Sequence, residues 1–375
     1  MNKRLNIYLL NLIVFLQGLV FYAPVATIYR ENRGISLSEI FIIESIYMVF
    51  IILLEIPWGI FADKFGYKKT LLLSNFIFLV SKVIFFKANS FTLFFIERLL
   101  LAFSISGLSG CDSAMMYLSL NENENSEKIF ATYGFFSNLG FLTGSVVATF
   151  IIDISIDLAA FYTIIPYALA FLLSFLLKEI GLEENKKVGV KGNIKSILKK
   201  RSMLIFIISM ALITEVFQSI TVFLNQGIYM KSKIDIKYFG IILSIIQIIR
   251  LISVKSYKIT NKFGQKKIII FLVISILISS VVLIFTSNPL LAISGIAIIT
   301  TSMSFVEPIS MDIKNKSILS SNRATILSIY SMIGSLVSAS INPIIGLASN
   351  FSIECGLFTC TIICLISIIL LRIYK

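Results

Sequence analysis

Gly59-Ile60-Phe61-Ala62-Asp63-Lys64-Phe65-Gly66-Tyr67-Lys68-Lys69 is a short charged turn set between two long apolar runs. Apolar runs of about 20 residues cross a bilayer as helices, and on both sides of this turn the chain consists of little else. Hydrophobic residues make up 57% of the 375 residues and charged residues 14%, with a mean hydropathy of +0.93. A soluble chain uses about 25% charged residues to cover its surface. Unpaired backbone groups are not tolerated in hydrocarbon, so only helices or closed barrels span it. Barrel strands alternate in character over about 10 residues, whereas Leu198–Leu212 and Ile268–Phe285 are nearly continuous apolar runs. The expected fold class is an all-α integral membrane protein.

Twelve spans can be drawn, at 5–28, 36–60, 68–88, 91–119, 128–152, 157–177, 201–226, 237–256, 267–286, 289–314, 323–347 and 351–372. The basic start Met1-Asn2-Lys3-Arg4 leads into an apolar stretch without a small-residue cleavage site, which reads as a retained first helix. The longest polar interruption, 178–200, predicts a cytoplasmic linker between two six-helix bundles, 1–177 and 201–375. Its end, Asn193–Lys200, has the pattern of an interfacial amphipathic helix.

Charge fixes the expected topology. Of 33 Lys and Arg, 24 fall on the side shared by the start of the chain and the Gly59–Lys69 turn. Six fall on the other side (Arg30, Arg33, Lys87, Lys231, Lys233 and Lys237), and Lys82, Arg98 and Arg250 lie inside spans. The positive-inside rule then puts both termini in the cytoplasm of a bacterial-type plasma membrane. The net charge of +13 is thus topological, with membrane lipid headgroups as its partners rather than nucleic acid. Cys111 stands alone, and Cys355, Cys360 and Cys364 fill space in or beside the last run, so neither a metal nor a cofactor is expected. Histidine is absent, so proton coupling would have to use carboxylates.

The halves echo one another. Lys64-Phe65-Gly66-Tyr67-Lys68-Lys69 recurs as Lys262-Phe263-Gly264-Gln265-Lys266-Lys267, displaced by 198 residues. Asp112 matches Glu307 and Lys128 matches Arg323, both displaced by 195. Weak internal symmetry of this kind is typical of carriers built from repeated bundles. In the turn itself, Gly59 permits close backbone approach and Gly66 can supply a turn conformation that a bulkier residue resists. Asp63, near the start of the next helical element, can cap a helix N-terminus or pair with a base in one conformation and lose that partner in another.

The pattern Gly-x3-Asp-x2-Gly-x-basic-basic, met here as Gly59, Asp63, Gly66, Lys68 and Lys69, resembles the signature loop of the major facilitator superfamily, and the 6+6 plan carries the resemblance over the whole chain. Within it the chain resembles bacterial 12-helix multidrug efflux carriers. The resemblance implies two pseudosymmetric bundles, a small-molecule substrate, alternating access, a monomer, and a conformational lock built on Asp63. Arg323, in Ser321-Asn322-Arg323-Ala324-Thr325, also resembles a superfamily stretch and is a partner for that lock at the cytoplasmic face. The second copy has Asn261 and Tyr257 at the Asp and first Gly positions, so a lock there should be less ionic. Drug exporters commonly carry Gly-Pro-x-x-Gly-Gly in span 5, and Asn138–Gly144 lacks that proline. Gly134, Gly140 and Gly144 still offer a small-residue face.

Ionisable groups inside a membrane are expensive and default to functional candidates. Glu215 is the first choice for proton coupling or cation recognition. Fourteen residues of helix on its cytoplasmic side put it about 21 Å along the axis, near the midplane. Asp112 and Glu307 on spans 4 and 10, Glu97 and Arg98 on span 4, Glu44 on span 2, Arg250 on span 8 and Gln218 beside Glu215 complete the set. No nucleotide-binding Gly-x4-Gly-Lys-Ser/Thr loop and no hydrolase motif is present, which argues against an enzyme. The reading is a secondary carrier that expels a small amphipathic compound against proton entry, with proton-coupled uptake of a small nutrient or metabolite as the alternative.

Overall fold

The computed structural model describes residues 4–120, 126–180, 201–250, 264–317 and 323–374. Among these residues the chain is helical and no strand occurs. The helices are α1 (Arg4–Gly18), α2 (Ala26–Glu31), α3 (Leu37–Phe65), α4 (Tyr67–Lys87), α5 (Phe91–Leu108), α6 (Cys111–Leu118), α7 (Ser126–Ile154) and α8 (Ile156–Ser174). They continue as α9 (Arg201–Gln218), α10 (Asn225–Lys231), α11 (Phe239–Arg250), α12 (Gln265–Phe285), α13 (Pro289–Lys316), α14 (Arg323–Phe351) and α15 (Ile353–Ile373). Eleven helical stretches among the described residues are long and apolar enough to cross a membrane, and a shorter apolar one, Ile236–Ile249, occupies the eighth place. Every span drawn from the sequence thus meets a helix. The interfacial helix expected at 193–200, and Tyr257 and Asn261, lie outside the described residues.

Among the described residues, the first, fourth and seventh spans carry breaks. The first passes through a 3-10 turn at Ala23–Val25 between α1 and α2. The fourth is interrupted where Gly110, at φ 81°, separates α5 from α6. The seventh changes to a π-helix over Ser219–Leu224 between α9 and α10. A π segment keeps the helix hydrogen-bonded while shifting its side-chain register, and such segments gather at functional sites.

Contacts group the helices into two compact units. The first holds α1, α2, α3 from Ile46 onward and α4 to α8, together with Ile236–Ser244. The second holds Ser36–Ser45, α9, α10, the chain from Ile245 and α12 to α15. In the first unit α1 packs on α7 and α8, α4 on α5 and α8, and α7 on α8. In the second α9 packs on α14 and α15, α12 on α13 and α15, and α14 on α15. Each pairing in one unit has its counterpart in the other.

Small residues set the first unit's α1/α7 seam. A Cβ on Gly140 would run into the Phe15 carbonyl, one on Gly144 would press on Leu19 and Val20, and one on Gly18 would meet the α7 backbone at Ser137–Phe141. Backbones this close exclude any longer side chain. Gly134, expected on the same face, meets nothing.

Candidate functional site

The Gly59–Lys69 turn is almost entirely helix. α3 runs through to Phe65, α4 starts at Tyr67, and Gly66 alone joins them at φ 93°, ψ 159°. That backbone is open essentially to glycine alone. Two expectations for the turn need correction. Gly59 lies inside α3, and a Cβ there would meet nothing within 4 Å, so it serves no close approach. Asp63 stands in the last turn of α3, before the joint rather than at the start of the next element.

The joint is filled by a residue that the sequence pattern does not single out. The Glu179 carboxylate accepts hydrogen bonds from the Lys68 amide at 3.2 and 3.3 Å and occupies the space that a Gly66 side chain would need. A carboxylate on the exposed N–H groups of a helix start is favoured by both hydrogen bonding and the helix dipole. Among the described residues, Asp63 forms no ion pair with Lys68 or Lys69. The Arg323 side chain lies outside the described residues, as does that of Arg250. Gly264, the echo of Gly66, opens α12 with nearly the same backbone, φ 84° and ψ 143°.

In the first unit, Asp112 sits in the first turn of α6, where it accepts a hydrogen bond from the Tyr133 hydroxyl of α7 at 2.7 Å and from Ser113. Arg98 lays its guanidinium over the Tyr47 ring, 4.5 Å from the centroid. Glu97 is buried at 1% exposure beside Tyr167, and its Oε2 has no hydrogen-bond partner among the described residues. Lys82, which the sequence marks only as lying inside a span, is buried nearby. Its ammonium donates to the Tyr22 hydroxyl at 2.8 Å and stands about 5.0 Å from the Phe78 and Tyr167 rings. A desolvated ammonium gains from such aromatic faces.

The second unit also holds a fully buried acid. Glu215, on α9, has 0% exposure. Its Oε1 accepts from Ser219 one turn on, at 3.4 Å, and the Ser338 hydroxyl of α14 lies against the same carboxyl. Its Oε2 has no hydrogen-bond partner among the described residues. Glu44, from the part of α3 that belongs to this unit, faces Glu215, and Cys360 of α15 adjoins it. Gln218, half-buried, ends α9 where the π segment begins. Glu307, before Pro308 on α13, is exposed. Asp312 farther along that helix accepts hydrogen bonds from Gln265 at 2.5 Å and Lys316 at 2.6 Å.

A multi-pass all-helical chain of two internally similar units, with buried charge in each, has the character of a membrane transport protein rather than an enzyme. Residues 7–343 match the family profile described as Major Facilitator Superfamily, and the chain belongs to that family. The solved structures of the nucleoside transporter NupG share its fold. A point mutant of NupG superposes with a TM-score of 0.84 at 15% identity over 98% of both chains, and the unmutated protein with 0.83 at 16% over 100% and 98%. A bacterial homologue of the human lysosomal transporter Spinster, inward-facing and unoccupied, follows at 0.77 and 12% identity over 100% and 95%. These likenesses establish the fold of 12 transmembrane helices in two six-helix bundles. In sequence, 196 residues are 21% identical to the quinolone resistance protein NorA of Staphylococcus aureus (strain Mu50 / ATCC 700699), covering 51% of this chain and 48% of that protein. The NorA proteins of strains N315 and MW2 match equally. The chain spans about half the length of these relatives in the match.

Proposed function

We propose that the chain is a secondary active carrier that works by alternating access and couples efflux of a small amphipathic compound to proton entry. The observation that carries the reading is the Glu215 carboxyl, fully buried on α9 with one oxygen unpartnered among the described residues and the Ser219 and Ser338 hydroxyls, Glu44 and the Cys360 thiol as its neighbours. An ionised carboxylate in so dry a place costs several kcal/mol, so its proton occupancy is tied to whether water reaches the site. Such a tie is what converts a proton gradient into a bias between two states. The sequence match to NorA supports export, and the fold shared with NupG is equally compatible with proton-coupled uptake of a small nutrient or metabolite.

The remaining elements of the proposal follow the sequence. Residues 1–177 and 201–375 act as two bundles joined by a cytoplasmic linker at 178–200, with both termini in the cytoplasm of a bacterial-type plasma membrane, in a monomeric carrier. Gly66, Asp63, Lys68, Lys69 and Arg323 set the conformational gate, and Glu179 joins them as the carboxylate at the joint.

The test is flux in proteoliposomes with an imposed pH gradient, comparing the parent with Glu215→Gln. Glutamine keeps volume and hydrogen bonding but does not titrate. Gradient-driven flux is expected to fall by about 10²-fold or more, the scale of a lost positioned proton transfer. Flux indifferent to the gradient in the parent would overturn proton coupling. Cargo gathering on the proton-rich side indicates exchange, and cargo moving with protons indicates the uptake alternative.

A further inference from the structure

Asn342, on α14, is 0% exposed, and neither its Oδ1 nor its Nδ2 has a hydrogen-bond partner among the described residues. An amide buried with every polar atom unmatched is rare in folded proteins, and a small bound molecule is the usual explanation. Its place on the helix says what that molecule must serve. The α9/α14 seam steps by four residues on each helix: Gly334 faces Ala211 with a would-be Cβ contact of 3.9 Å, and Ser338 faces Glu215. Residues four apart share a helix face, so the next step sets Asn342 level with Ser219. That is where the π-helix begins and where the hydroxyl that bonds Glu215 arises. Helical register thus places a complete unmatched amide one turn along the seam from an unmatched acid oxygen.

We propose that Asn342 holds a water molecule against Glu215 and is a positioning residue for the proton exchange of that acid. The inference rests on the coupling role proposed above for Glu215. The amide offers a donor and an acceptor together, which is what a water needs in order to be oriented rather than merely trapped. The oriented water gives its remaining hydrogen-bond capacity to Glu215 Oε2. The proton passes between the carboxyl and that water, which becomes hydronium and relays the charge onward when the site opens, so nothing beyond water and a proton is consumed. The titratable groups that face Glu215 from the packed elements are Glu44 and Cys360. Neither can take the amide's place, because a carboxyl donates only while it holds its proton and a thiol is a weak donor and acceptor.

The test uses the purified full-length carrier and two variants. Asn342→Leu removes donor and acceptor while keeping the branched outline of the side chain. Asn342→Ser retains both on a shorter side chain. Infrared difference spectra recorded across a pH step isolate the carboxyl band of Glu215, which is identified by its absence in Glu215→Gln. The proposal expects the band to move to higher wavenumber in Asn342→Leu, as for an acid that has lost a hydrogen bond, and to stay near the parent's position in Asn342→Ser. Gradient-driven flux should fall about tenfold or more in Asn342→Leu with a displaced pH profile, and remain within about threefold of the parent in Asn342→Ser. A Glu215 band identical in all three proteins overturns the water, and a parental pH profile in Asn342→Leu overturns its role in exchange. Full gradient-driven flux in Glu215→Gln would instead overturn the coupling role of Glu215, while the infrared result would still decide whether Asn342 holds a water there.

Discussion

The first and second units share a frame to the level of single hydrogen bonds, and two seams that correspond in that frame are filled differently. Arg33 pairs with Asp157 in the first turn of α8 at 3.0 Å and donates to the Phe86 carbonyl at the end of α4. Lys231 pairs with Glu354 in the first turn of α15 at 2.7 Å and donates to the Ile284 carbonyl at the end of α12. Ser155 caps α8 as Ser352 caps α15. The opening helix of each unit loses α geometry part-way along its span, at Gly18 and at Gln218. The seams α1/α7 and α9/α14 occupy the same place in this frame. One is closed by glycines with backbone against backbone, and the other carries Glu215 against Ser338, with the unmatched Asn342 amide a turn farther along α14. A repeat can conserve its architecture and still specialise, because the frame lies in helix ends and caps while the chemistry lies in whatever fills the seam.

The largest expected effect comes from adding a methyl group to the closed seam. Gly140→Ala sets a Cβ against the Phe15 carbonyl, a backbone atom that moves only with its helix. Overpacking of this kind costs up to about 3 kcal/mol. The thermal midpoint of the detergent-solubilised protein should fall by several degrees, and the yield of monodisperse protein with it. An unchanged midpoint would show that the two helices are not in contact there, and the contrast between the seams would collapse.

A second pair of substitutions compares the two glycine joints. Gly66→Ala and Gly264→Ala each force an L residue into backbone near φ 90°, at about 1–3 kcal/mol. The first also collides with the Glu179 carboxylate, whereas a Cβ on Gly264 meets nothing within 4 Å. Gly66→Ala should therefore depress both stability and turnover more than Gly264→Ala. Glu179→Gln should reproduce part of the turnover loss without the backbone strain, since a neutral amide gains less from the start of α4. Equal effects of the two glycine substitutions would mean that Glu179 adds nothing at the joint.

Much of this is open to reading from the residues, for reasons that differ from place to place. The span drawn at 68–88 meets a helix at Tyr67–Lys87, because hydrocarbon thickness and Gly66 leave the chain little choice. Glu215 stands out because an acid in an apolar run is costly wherever it points. The Gly59–Lys69 stretch reads as a loop although its lysines are good helix formers, and the positive φ at Gly66 breaks the helix. Lys82 is visible as a charge, but its aromatic surroundings include two other stretches of chain, at Tyr22 and Tyr167. Glu179 reaches Lys68 across 111 residues, and a single glutamate at the end of a polar stretch carries no sign of that. The π segment leaves apolar composition untouched, so periodicity does not report it. Ser338 and Asn342 are ordinary in a membrane helix until the facing helix is known.

The smallest expected effect has the opposite sign to the largest and comes from the same chemical change. Gly334 lies in the α9/α14 seam, where a Cβ would stand 3.9 Å from that of Ala211, an ordinary contact. Glycine inside a helix costs about 0.5–1 kcal/mol relative to alanine through lost backbone entropy, so Gly334→Ala should leave the thermal midpoint unchanged or raise it slightly. One turn beyond lies Ser338 against Glu215, and the added methyl group does not reach that hydroxyl, so the pH profile of flux should also stay at its parental position. A fall in midpoint comparable to that of Gly140→Ala would mean that both seams are closed backbone to backbone. The polar seam would then have no room for the water assigned to it, and the difference between the units would lie elsewhere.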